Sequence, residues 1–170
     1  MNVLKIQTKV LENLLDSEAN KNVRVCINNN TIGVCPDGGA CYFIPKKHFY
    51  IDCTGVNTFN SSLFFENEYW KSATLAVMDS NDYEITKNGI KFKVIRFSNG
   101  NYDIFIDSKY LKYFKKKENI CFYIGKSMRS FLYVIENNCM PCMENVVAVI
   151  APIIPSAELL NAVERNDNNK

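Results

Sequence analysis

The chain has 170 residues, a formal net charge of +2 and a 47% hydrophobic content, which predicts one domain with a sizeable core. A near-neutral balance excludes a generally basic nucleic-acid binder, so any DNA contact has to come from a local patch. With 9 Tyr and 11 Phe against only 7 Gly and 5 Pro, the composition favours a sheet-rich α+β fold over a helical bundle.

The opening stretch MNVLKIQTKV places Lys5, Gln7 and Thr8 where a secretory signal would need an apolar core. Val3, Leu4 and Ile6 read as a short strand. Val10, Leu11, Leu14 and Leu15 then recur at helical spacing, with Thr8 as the N-cap and an end near Ser17 to Asn22. Val23, Val25 and Ile27 alternate as a strand, Ile32 and Val34 start its return, and Asp37-Gly38-Gly39 is a hairpin turn. Cys41 to Ile44 is the next strand, stopped by Pro45. Phe49 to Cys53, Leu63 to Phe65, Thr74 to Met78 and Ile90 to Phe97 read as further strands, with turns at Asn88-Gly89 and Asn99-Gly100.

From Ile104 a similar order begins again. Ile104 and Ile106 form a strand, Ser108 is the N-cap of a helix reaching Lys117, and Ile120 to Ile124, Phe131 to Ile135 and Val146 to Ile150 are strands, the last stopped by Pro152. Leu4, Ile6, Thr8, Lys9 and Leu11 match Ile104, Ile106, Ser108, Lys109 and Leu111 at a constant offset of 100 residues. The chain therefore reads as one domain over 1–156, built of two pseudo-repeats at about 1–65 and 70–155. Ala157, Leu159, Leu160 and Val163 predict a short helix, and Arg165 to Lys170 a disordered tail. The two helices are expected side by side on one face of antiparallel sheets.

The stretch NYDIFIDSKYLKYFKKKENICFYIGKSMRSFLYVIENN followed by VVAVIAPI resembles the last domain of the bacterial DNA polymerase III beta subunit, a DNA sliding clamp. The resemblance rests on a strand leading into the Tyr110-Leu111 helix, an alternating strand, a return strand and an apolar strand ending in Pro152. It implies a clamp-like fold of two strand–helix–strand–strand–strand units and a non-enzymatic role without a cofactor. Duplex DNA, a replication protein or peptide, and other copies of the same chain are the implied partners. A phage or mobile-element origin fits a single-domain version.

Lys109, Lys112 and Lys116 recur on one face of the second helix and are the candidate DNA contacts. The first helix carries Glu12, Asp16 and Glu18 against Lys9, which favours the alternative of a structural or inhibitory interaction domain that keeps the fold without DNA. A further alternative is metal or thiol chemistry at Cys139-Met140-Pro141-Cys142, joined by Cys35 and Cys41 if the hairpins meet. The seven cysteines, Cys26, Cys35, Cys41, Cys53, Cys121, Cys139 and Cys142, are an odd set. In a chain expected to be cytoplasmic they read as mostly free thiols, and zinc is not expected. His48 reads as a surface side chain, Asp79, Asp82 and Glu84 as an acidic turn, and Tyr69-Trp70 as a core aromatic pair. The longest apolar run, Val146 to Ile154, is interrupted by Pro152 and falls well short of the ~20 residues of a membrane helix.

Overall fold

The computed structural model describes residues 1–87, 89–114, 119–136 and 142–168. Asn2 accepts a hydrogen bond from the Lys5 amide and so caps helix α1 (Val3–Leu15). The cap draws Val3, Leu4 and Ile6 into the helix in place of the expected strand. Thr8, predicted as the N-cap, sits inside the helix with its hydroxyl donating to the Leu4 carbonyl at 3.0 Å. The apolar spacing of this segment suits either conformation, and the capping side chain decides it.

Strands β1 (Arg24–Ile27), β2 (Thr31–Cys35) and β3 (Ala40–Pro45) follow as an antiparallel meander. Phe49 to Cys53 forms no strand. A two-residue strand, β4 (Asn57–Thr58), pairs parallel to β1. Leu63 to Phe65, expected as a strand, lies in the one-turn helix α2 (Ser62–Phe65), followed by α3 (Glu68–Lys71). The acidic stretch Asp79 to Glu84, read as a turn, belongs to the long strand β5 (Thr74–Lys87), whose register with β6 (Ile90–Ser98) shifts between Met78 and Asp82. Strand β7 (Asp103–Asp107) leads into a 3-10 helix, Ser108–Tyr113, capped by Asp107 and not by Ser108. Strands β8 (Ile120–Ile124), β9 (Leu132–Glu136) and β10 (Val146–Ile150) fall where their alternation places them. Helix α4 (Ala157–Asp167) runs past Arg165, where a disordered tail was expected.

All strands join one mixed sheet in the order β4-β1-β2-β3-β10-β9-β8-β5-β6-β7. Its centre is buried on both faces, so β3 and β9 are apolar at nearly every position and not merely at alternate ones. One face packs Val34, Tyr42, Ile44, Val134 and Ile150 under α1, through Ile6 and Val10, and under the 3-10 helix, through Tyr113 and Phe114. The other packs Cys41, Phe43, Tyr133 and Val149 under Phe64, Phe65 and Trp70 of α2 and α3. Of the expected core pair Tyr69-Trp70, half-buried Trp70 packs on the core, meeting Phe65 and Tyr133 edge-on at 5.3 and 4.9 Å, while Tyr69 belongs to none of the three clusters. A third cluster places Leu159 and Val163 of α4 on Tyr83, Val94 and Phe105. No helix among the described residues is long and apolar enough to cross a membrane.

Candidate binding surface

The α1 and 3-10 helices lie on the same sheet face and touch, the Asn2 amide donating to the Tyr113 carbonyl at 2.6 Å. The buried polar side chains of α1 tie it to loops beneath. Gln7 donates to the His48 carbonyl at 3.0 Å and accepts from the Tyr50 amide at 2.7 Å. Asn13 donates to the Pro36 carbonyl at 2.7 Å. His48 takes part through its backbone, and its side chain is exposed.

Lys109 and Lys112 stand three residues apart in a helix with about three residues per turn, so they share a face. Both border a depression of about 60 Å³ together with Lys9, Asp37 and Tyr110. Three cations therefore converge, but each is partly engaged. Lys109 meets Asp107 at 3.3 Å, Asp37 at 3.7 Å and the Tyr110 ring face at 4.7 Å. Burial opposes its charge, yet Tyr110, Asp107 and Asp37 outweigh this and hold its pKa above the ordinary lysine value. Lys112 lies over the Tyr113 ring at 5.1 Å, and Lys9 pairs with Glu12 at 3.4 Å. Lys116 lies outside the described residues. On the solvent side of α1 stand Leu4, Leu11 and Leu15, all exposed, which is an apolar stripe where a DNA-facing helix would carry cations.

Round the corner from the lysines runs a groove of about 810 Å³ that sequence reading did not find. Phe92 and Ile90 of β6, Tyr110 of the 3-10 helix and Pro152, Ile153 and Ile154 beyond β10 line it. The segment after β10 is fastened on both sides: the Ala151 amide donates to the Gly39 carbonyl at 2.9 Å and the Ile153 amide to the Phe105 carbonyl at 2.7 Å. Gly39 lets Tyr110 pack closely there, since a Cβ would meet the Tyr110 hydroxyl and force the ring to shift. Lys93, Lys109 and Asp107 also line it, with Lys93 3.8 Å from Asp82 and Lys109 3.3 Å from Asp107.

Among the described residues no group of three or more His, Cys, Asp or Glu side chains is arranged to hold a metal ion. Cys35 and Cys41 are buried in the sheet and Cys142 is exposed, while Cys139 lies outside the described residues. Asp79 pairs with Arg96 at 2.9 Å. Arg96 was also missed by sequence reading, although it falls out of phase with the alternating Lys91 and Lys93 of β6, which was the signal for it. Comparisons with protein-family models, with curated proteins and with solved structures find no match to this chain.

Proposed function

We propose that the chain is a non-enzymatic binding module of the processivity-clamp type that holds a partner protein through the groove beside Ile90 and Ile154. The observation that carries this reading is the strand order β1-β2-β3-β10-β9-β8, which runs alike from either end, with α1 and the 3-10 helix on one face. Two helix-plus-meander units joined edge to edge through β3 and β10 would produce that order.

The groove supports the binding role. Ile90 and Ile154 are 69% and 76% exposed, and covering apolar surface is favourable by about 25 cal/mol per Å². Because the Ile153 amide is already bonded to β7, the groove offers side-chain contacts more than a free strand edge. Its occupant is an extended peptide with two apolar side chains and an acidic neighbour facing Lys93 and Lys109. Selection from a displayed peptide library should enrich such sequences. Ile154→Asp or Ile90→Asp should weaken the enriched peptides by about tenfold or more. No enrichment, or peptides that bind both variants as well as wild type, would refute the groove assignment.

Duplex DNA is a second reading, favoured by the convergence of Lys9, Lys109 and Lys112. Three phosphate contacts give a log–log salt slope of roughly −3 without sequence preference. The double variant Lys109→Glu/Lys112→Glu should then lose binding. A wild-type chain that shows no salt-dependent binding to duplex DNA leaves the partner-protein reading alone. Encirclement of DNA additionally requires several copies, which light scattering would detect.

A further inference from the structure

We propose that Cys35 and Cys41 form a thiol–disulfide exchange site, oxidised by a low-molecular-weight disulfide, that clasps the base of the β2–β3 hairpin. The sheet register singles out this pair. Gly33 stands opposite Phe43, and Val34 opposite Tyr42 as the last pair of the ladder; continuing that register one step brings Cys35 opposite Cys41 at the mouth of the hairpin. The Lys46 amide donates to the Asn30 carbonyl at 3.0 Å, which makes 30/46 a hydrogen-bonded pair. By alternation 32/44 and 34/42 are hydrogen-bonded as well, and 35/41 is not. Facing residues at such non-hydrogen-bonded sites have Cα atoms about 4.5 Å apart, within the roughly 4.4–6.8 Å that a disulfide spans.

The same register excludes the third thiol of the cluster. Cys26 faces Gly33, which faces Phe43, so it is diagonal to Cys35 at roughly 7–8 Å and two strands across and two residues along from Cys41, more than about 9.5 Å away. Both separations exceed the reach of a disulfide. Cys26 leans over Gly33, where a Cβ would strike its sulfur. A hydrogen bond from the Cys41 thiol lowers the Cys26 pKa, while burial pushes the Cys41 thiol up.

Cys35 is the entry thiol, being 8% exposed where Cys41 is fully buried. Its thiolate attacks one sulfur of the small disulfide, breaking that S–S bond and releasing one thiol. Cys41, as its thiolate, then attacks the Cys35 sulfur and displaces the second thiol. Two protein thiols become one disulfide, the small disulfide becomes two thiols, and the protons lost from the cysteines pass to the leaving thiolates. The bridge encloses Pro36 to Ala40, the loop that receives Asn13 of α1, Lys109 and the Ala151 amide. Oxidation is thus expected to stiffen the anchorage of the segment after β10, whether or not the groove binds a peptide.

The native full chain is treated with excess glutathione disulfide, alkylated and mapped by mass spectrometry without reduction. Exposed Cys142 reports that the reagent is active. The expected result is a Cys35–Cys41 cross-linked fragment, absent in Cys41→Ala, with exchange of the Ala151 amide hydrogen slowed about tenfold in the oxidised wild type. Cys142 modified with Cys35 and Cys41 still reduced would overturn the proposal. So would a bridge to Cys26, or one that forms only in denaturant. Because the cross-link is read on wild type, it does not depend on the variant folding.

Discussion

Replacing Arg96 with Ala is expected to cost about 3–5 kcal/mol of stability, the range for breaking a largely buried ion pair by removing one partner. The guanidinium is only 14% exposed and gathers three carboxylates: Asp79 on β5 at 2.9 Å, Asp103 on β7 at 3.6 Å and Asp167 on α4 at 2.7 Å. Two nitrogens meet the two oxygens of Asp167 at 2.7 and 2.8 Å, and two meet a single oxygen of Asp79. This raises the Arg96 pKa above its ordinary value, with the Asp167 hydrogen bonds the largest cause, so the group stays charged at every working pH. The planar fork does what a point charge cannot, and Arg96→Lys should recover only part of the loss. Asp167→Asn should act more locally, unwinding the end of α4 so that trypsin cuts at Arg165, already exposed, while the sheet stays folded. Urea midpoints would rank the variants. A change in Arg96→Ala within about 0.5 kcal/mol would show that the cluster is merely a solvated surface network.

Phe97→Ala should be of similar size, about 3–5 kcal/mol, for a different reason. Phe97 is fully buried and meets Phe122 edge-on at 4.8 Å. It ties the β5–β6–β7 part of the sheet to β8, across a boundary otherwise held by three pairs, Thr74/Ile124, Leu75/Tyr123 and Ala76/Phe122. Truncation removes the transfer free energy of the ring and opens a cavity under the 3-10 helix side of the core. Phe97→Leu, closer in volume, should cost under about 1.5 kcal/mol. If the two sheet parts instead unfold in separate steps in wild type, measured by far-UV dichroism and Trp70 fluorescence, the ring does not couple them and its truncation would move only one transition.

The strands of the chain's last third were legible from local pattern. Ile120 to Ile124, Phe131 to Ile135 and Val146 to Ile150 alternate or run apolar between turn residues, and they form β8, β9 and β10 within one residue. The glycine turns at Gly38 and Gly100 were legible for the same reason, since both adopt a positive φ that other residues avoid. Local pattern failed where short apolar runs fit either conformation: Val3 to Ile6 and Leu63 to Phe65 suit a strand or a helix, and the Asn2 cap in the first case and the packing of Phe65 in the second went with helix. It failed again at Asp79, whose acidity reads as a solvent-facing turn until Arg96 is seen beside it. Composition, alternation and turn chemistry thus determined the class of the fold and most strand positions, because those signals act between residues near in sequence. Tertiary structure alone decided that β3 pairs with β10, that Cys35, Cys41 and Cys26 share a face, and that a groove brings Ile90, Tyr110 and Ile154 together, because each depends on contacts between segments distant in the chain whose pairing is set by burial across the whole sheet.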